Sequence, residues 1–179
     1  MANTLTAVRL LLALPIAAAF ARPDFVEPTV LFCVVCLAIA SDSLDGRVAR
    51  AIGAASPAGQ IFDHATDCIF VTAGMIGAAV IGDVPIALPA LIVIAFIQYL
   101  LDSYFLHQQK ELRMSTIGRW NGILYFVPLV VLSGSRLPIF STFEPFLLGT
   151  VTVAVYGLIV STVISIADRA LATVASQRD

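Results

Sequence analysis

Four aspartates and two arginines fall between positions 42 and 67, inside runs that otherwise read as membrane-embedded helix. An Asp at the centre of a membrane helix costs roughly 2.5–3.5 kcal/mol, so Asp42, Asp45, Asp63 and Asp67 together cost on the order of 10 kcal/mol unless something neutralises them. Divalent cations can do so, and four aspartates match the charge of two such ions. Asp42, Asp45, Gly46, Ala49 and Arg50 recur at i, i+3, i+4, i+7 and i+8, one face of a helix of 3.6 residues per turn. After a turn around Pro57, Gly59, Asp63 and Asp67 recur at i, i+4 and i+8. The two faces can oppose each other across a tight antiparallel pair, with Asp45 and Asp63 each roughly 10 Å in from the same edge at 1.5 Å per residue.

Hard carboxylate oxygens suit Mg²⁺ or Mn²⁺, which keep sites open for water and substrate phosphates. Gly46, Ala49 and Gly59 leave room beside the ions for a pyrophosphate-bearing ligand to approach the backbone. Arg50 can grip phosphate oxygens with two parallel hydrogen bonds. A purely structural ion-pair network of the four Asp with Arg47 and Arg50 would leave two acids unmatched within the bilayer.

These residues need apolar elements to carry them, and the composition supplies little else. Of 179 residues, 59% are hydrophobic and 12% charged, with a mean hydropathy of +0.96, far from a soluble domain. A net charge of −2 without a basic block argues against a nucleic-acid partner. Cys33, Cys36 and Cys68 all lie in apolar segments, which suggests neither a disulfide framework nor a zinc site. Arg9, an apolar run and Ala19-Phe20-Ala21 have the shape of a cleavable leader, but further apolar runs favour an uncleaved first span.

Apolar runs and breakers predict an all-α, polytopic integral membrane protein with six transmembrane helices near 4–21, 28–53, 57–82, 84–107, 116–134 and 142–170. The connections are too short for a separate soluble domain, so residues 1–179 read as one membrane domain. With a cytoplasmic N-terminus, Arg9, Arg47, Arg50, Lys110, Arg113, Arg119, Arg169 and Arg178 all fall on the inner side, leaving Arg22 and Arg136 outside. No internal repeat of the kind that marks secondary transporters is evident.

The series Asp42, Asp45, Gly46, Ala49, Arg50, Gly59, Asp63, Asp67 resembles the full signature of the CDP-alcohol phosphotransferases, each fixed position matching. The length and the six apolar runs are also similar to bacterial members, most of all those like phosphatidylglycerophosphate synthase. The resemblance implies a six-helix domain, commonly a homodimer in the bacterial inner membrane, with a cytoplasm-facing cavity for CDP-diacylglycerol and two divalent ions, Mg²⁺ or Mn²⁺. By that resemblance Asp42, Asp45, Asp63 and Asp67 are metal ligands and Asp67 is also the base that takes the acceptor hydroxyl proton. Asp45, Gly46, Ala49, Arg50 and Gly59 then contact the CDP group. The implied reaction is attack of an alcohol oxygen on the lipid-side phosphorus, with CMP leaving.

The acceptor is less defined. Asn3, Leu5, Thr6 and Arg9 resemble the opening of the glycerol-phosphate and cardiolipin branches, where Arg9 could meet a phosphate; it reads equally well as an interfacial anchor. The segment Ser115 to Trp120 is similar to one in phosphatidylglycerophosphate synthases, with Arg119 in place of Lys as a candidate for an anionic acceptor group. The fourth run departs from that branch by offering Gln98, Tyr99 and Asp102 where an Arg-Glu pair is typical; Asp102 should face the cavity or a basic partner. His64, directly after Asp63, is similar to an Asp-His pair of aminoalcohol enzymes but points about 100° away from Asp63 on a helix. Glycerol 3-phosphate is the first expectation, with inositol phosphate, phosphatidylglycerol, serine or an aminoalcohol as alternatives. From other classes, a membrane prenyltransferase would place its Asp motifs far apart in sequence, and a divalent-cation transporter would give Gly46, Ala49 and Gly59 no role.

Overall fold

The computed structural model describes residues 2–51, 57–106 and 116–176, with side chains described over 6–41, 59, 61–101 and 116–171. The described chain forms α1 (Ala2–Ala21), α2 (Pro28–Ala51), α3 (Pro57–Val80), α4 (Ala87–Leu106), α5 (Thr116–Leu124), α6 (Phe126–Ser135) and α7 (Glu144–Ser176), with a 3₁₀ turn at Pro138–Phe143. No strand occurs among the described residues. Thr116–Ser135 and Pro138–Leu171 are long and apolar enough to cross a membrane, and Thr6–Ala21, Pro28–Ser41 and Ala87–Leu101 are shorter apolar helices.

Burial is distributed as lipid solvent requires. Leu11, Leu14, Val80, Ile139, Phe146 and Val153 are largely exposed, whereas Thr6, Thr66, Asn121, Ser133, Thr162 and Ser165 are buried. Apolar side chains outward and hydroxyls inward is the pattern of a membrane protein, in which interhelical contacts rely on small residues and internal hydrogen bonds.

The sequence pattern anticipates α3 against α2, but the most extensive described partner of α3 is α1, and α2 packs on α1 and α6. The reason lies in the small residues of α3. A Cβ on Gly77 would sit 2.2 Å from the Ala17 carbonyl oxygen, and one on Gly74 would meet Leu129 at 2.9 Å and Ile16 at 3.2 Å. Ala73, Gly74, Gly77 and Ala78, which the sequence marks as a close-packing face without naming a partner, therefore serve an intrachain contact at Gly74 and Gly77. Contacts advance together along both helices, Arg9 to Asp67 and Ala17 to Gly77, so α1 and α3 run parallel. Ile16, Phe20, Val35, Phe70, Met75, Leu88 and Leu129 close the core around them.

Local signals explain the ends. Glu27 caps α2, with its carboxylate accepting from Val30 N–H at 3.2 Å and Pro28 standing first in the helix. Gly82, at φ +88°, ends α3 in a Schellman turn: Gly82 N–H donates to Ala79 O at 3.2 Å and Asp83 N–H to Ala78 O at 3.0 Å. The predicted fifth span is broken at Tyr125 into α5 and α6. Pro128 has no N–H to offer the Leu124 carbonyl, so the ladder cannot continue unbroken there. At this end of the molecule Arg136 donates to Ala19 O at 2.9 Å and Phe20 O at 3.0 Å, capping α1. It also lies over the Phe20 ring and 3.7 Å from Asp83. Burial holds the Asp83 carboxyl above the usual carboxylate range, more strongly than the neighbouring Arg136 pulls it down.

Candidate active site

One helical turn separates Asp63 from Asp67, and both turn toward α1. There Arg9, only 2% exposed, donates from Nη2 to Asp63 Oδ1 at 2.9 Å and from Nη1 to Asp67 Oδ1. The Thr6 hydroxyl donates to the same Asp63 oxygen at 3.3 Å. The carboxylate side chains keep 29% and 22% of their surface. Arg9 thus bridges the two carboxylates, and both keep some exposed surface. Partly open, hard oxygen donors one turn apart fit Mg²⁺ or Mn²⁺. Among the described residues no group of three His, Cys, Asp or Glu converges; the Asp42 and Asp45 side chains lie outside those residues.

Beside Asp67 opens a cavity of about 530 Å³ lined mainly from α3, α4, α5 and α7, with Ile39 of α2 and Phe126 of α6. Its polar lining comprises Asp67 and His64 from α3, Gln98 and Tyr99 from α4, Arg119 from α5, and Ser165 and Arg169 from α7. Ile92, Phe96, Ile123 and Phe126 give it apolar walls. Tyr99 stands centrally, its ring 6.1 Å from that of His64 and 5.5 Å from the Arg169 guanidinium carbon. Gln98 fastens α4 to α7 by donating to Ile166 O at 3.1 Å. Deeper, the Tyr125 and Thr162 hydroxyls lie 2.7 Å apart and Ser161 donates to Asn121 Oδ1 at 2.7 Å, tying α5 to α7. The site therefore joins a carboxylate to two guanidinium groups across an apolar-walled space, suited to an anionic ligand held next to a proton acceptor.

Of the residues singled out by sequence, Asp67, His64 and Arg119 line this cavity together. Asp63 sits one turn away, in the Arg9 pair. Arg9 is buried between helices rather than placed at a lipid interface, and it faces carboxylates rather than the cavity. Gly59 lies on the same helix one turn before Asp63. Asp42, Asp45, Gly46, Ala49 and Arg50 occupy the last turns of α2 and Asp102 lies on α4, but their side chains lie outside the described residues. Asn3 and Leu5 likewise carry no described side chain. Trp120 is exposed, as an interface residue would be.

Arg169 is the site residue that sequence reasoning missed, having counted it only as an inner-side charge. Its signal was available: Thr162, Ser165 and Arg169 recur at i, i+3 and i+7, a polar stripe along an otherwise apolar helix.

A family model for CDP-alcohol phosphatidyltransferase matches residues 1–166. Nearly the whole chain is covered, and the protein belongs to the CDP-alcohol phosphatidyltransferase family. It is thus a phosphotransferase for substituted phosphate groups, catalysing phospholipid head-group transfer from a CDP-alcohol, in a family generally dependent on divalent metal. No curated protein and no solved structure matches the chain.

Proposed function

We propose that this protein transfers the phosphatidyl group of CDP-diacylglycerol to an alcohol bearing an anionic group, releasing CMP at the inner face of a bacterial membrane. Glycerol 3-phosphate is the first acceptor and inositol phosphate the nearest alternative. The observation that carries the reading is one cavity lined by Asp67, Arg119 and Arg169. A cationic pair beside a carboxylate favours an acceptor with a phosphate over serine or an aminoalcohol, whose ammonium group would meet the two arginines.

In this reading Asp63 and Asp67, with Asp42 and Asp45 from α2, hold two Mg²⁺ or Mn²⁺ ions. When bound, the ions neutralise the pyrophosphate and the charge that builds on departing CMP. Gly46, Ala49, Arg50 and Gly59 take the CDP group. Arg119 and Arg169 hold the acceptor's anionic end, and Tyr99 keeps the Arg169 guanidinium in place through its ring face. That leaves the acceptor hydroxyl at Asp67, whose carboxylate oxygen takes the proton as the alcohol oxygen attacks phosphorus. Most of the acceleration then comes from positioning and fixed charge, as phosphoryl transfer requires. The apolar walls of Phe96 and Phe126 exclude water, which would otherwise compete as the nucleophile. Six spans place the carboxylates near the cytoplasmic edge, and a homodimer is the expected assembly.

Purified protein in lipid discs, supplied with CDP-diacylglycerol, Mg²⁺ and a panel of acceptors, tests this directly. The reading expects CMP and new lipid with a phosphate-bearing alcohol, and an acceptor KM raised about 10-fold or more in Arg169→Gln, the scale of a lost charged hydrogen bond. Preference for serine or ethanolamine would refute the anionic-acceptor assignment.

A further inference from the structure

Arg9 is among the largest fully buried side chains of the described residues, yet it is not part of the lining of the cavity beside Asp67 and spends both terminal nitrogens on Asp63 and Asp67. An arginine does not deprotonate in a protein, so this charge is permanent. We propose that Arg9 is a resident counter-cation that holds Asp63 and Asp67 in the metal-free protein and competes with divalent ions for them. The proposal rests on the reading of these two aspartates as metal ligands.

Three features of the Arg9 contact lead to it. Arg9 takes the Oδ1 atom of each carboxylate, so one group bridges two residues a full turn apart. Thr6, one turn before Arg9 on α1, adds its hydroxyl to Asp63 Oδ1, and the contact therefore belongs to a helix face. Both carboxylate side chains keep part of their surface exposed, so an ion can reach them. An ion bound about 2.1 Å from those oxygens would lie within about 5 Å of the guanidinium. Repulsion between a divalent and a monovalent cation at that separation is worth at least about tenfold in affinity even when well screened.

Arg9 thereby prevents two acids from standing uncompensated in the bilayer before the ions arrive, and it lowers their affinity for those ions. A merely structural role predicts the opposite sign, because disordered carboxylates would bind metal more weakly.

The test is Mn²⁺ binding measured by electron paramagnetic resonance on wild type, Arg9→Gln and Arg9→Lys in lipid discs without nucleotide. Arg9→Gln should bind Mn²⁺ at least about tenfold more tightly than wild type, and Arg9→Lys, which keeps the charge, should stay within about threefold. Equal or weaker Mn²⁺ binding by folded Arg9→Gln overturns the proposal, as does the absence of Mn²⁺ binding in all three proteins. Wild-type protein gives a second measurement should Arg9→Gln not fold. Mg²⁺ should raise the modification of Arg9 by phenylglyoxal several-fold, read by mass spectrometry, and leave Arg136 unchanged. Unchanged Arg9 modification overturns the proposal. CMP release in the same preparations separates the two claims: competition without CMP refutes the transfer reading alone, and CMP release without competition refutes the role of Arg9 alone.

Discussion

Two arginines tie α1 to its surroundings, Arg9 from within the helix and Arg136 at its end, and each has a carboxylate within reach. Arg9 is paired with Asp63 and Asp67, and its described partners are acidic side chains of α3. Arg136 divides itself among two backbone carbonyls, the Phe20 ring and Asp83. The second arrangement completes a helix end that would otherwise leave buried carbonyls unpaired, and it explains itself as architecture. The first offers no such gain. Burying an arginine with two acids costs desolvation that apolar residues would avoid. Between the two, Gly74 and Gly77 bring the backbones of α1 and α3 together. The parallel pair is thus a strut with a carboxylate cluster at one end and a cap at the other.

Substitutions along that strut should separate the ends. The largest effect belongs to Asp63→Asn, which should lower phosphatidyl transfer by about a thousandfold, the scale of several kcal/mol of lost metal-assisted charge stabilisation. Its unfolding midpoint should change little, and a comparable loss of stability would make Asp63 architectural. Next, Gly77→Val should destabilise the protein by about 1–3 kcal/mol or more through overpacking, because the Ala17 carbonyl cannot retreat as a flexible side chain could. Denaturation in mild detergent reads this, and an unchanged midpoint would break the strut description.

Arg136→Gln should cost about 1–2 kcal/mol by uncapping α1, with Mn²⁺ affinity unaltered. A change in metal binding would collapse the distinction between the ends. The smallest effect is at Asp83. Its carboxyl is raised by burial, so the protonated form is favoured in the folded protein. The corresponding stability is fully present below the ordinary Asp pKa and is lost as pH rises through the higher folded value. Asp83→Asn should therefore be neutral or slightly stabilising at pH 7 and should flatten that part of the stability curve. A clear loss at pH 7 would mean that the Arg136 pair outweighs the burial.

The same contrast governs what could be read from sequence. The acidic face of α3 was legible because i and i+4 spacing needs no knowledge of neighbours: Asp63 and Asp67 do share one side. The resemblance carried by Asp42 to Asp67 also led to the family that the matched residues define. Pairing was not legible. Gly74 and Gly77 advertise a close approach without saying to which helix. Arg9 reads from sequence equally as a phosphate contact or an interfacial anchor; only the parallel packing of α1 on α3 sets it against Asp63 and Asp67. Arg169 was hidden by its position late in a long apolar helix, where a basic residue counts as topology until Tyr99 and Asp67 are seen around the same cavity. The break at Tyr125 had its sign in Pro128, whose effect falls four residues earlier.

The central claim is that the acidic end of the strut performs the transfer and the capped end supports it. CMP release from CDP-diacylglycerol, measured per folded molecule for wild type, Asp67→Asn and Arg136→Gln with Mg²⁺ and glycerol 3-phosphate or inositol phosphate, tests it most directly. The account predicts CMP equal in amount to new lipid, lost in Asp67→Asn and kept in Arg136→Gln. Undiminished CMP release by Asp67→Asn would contradict it.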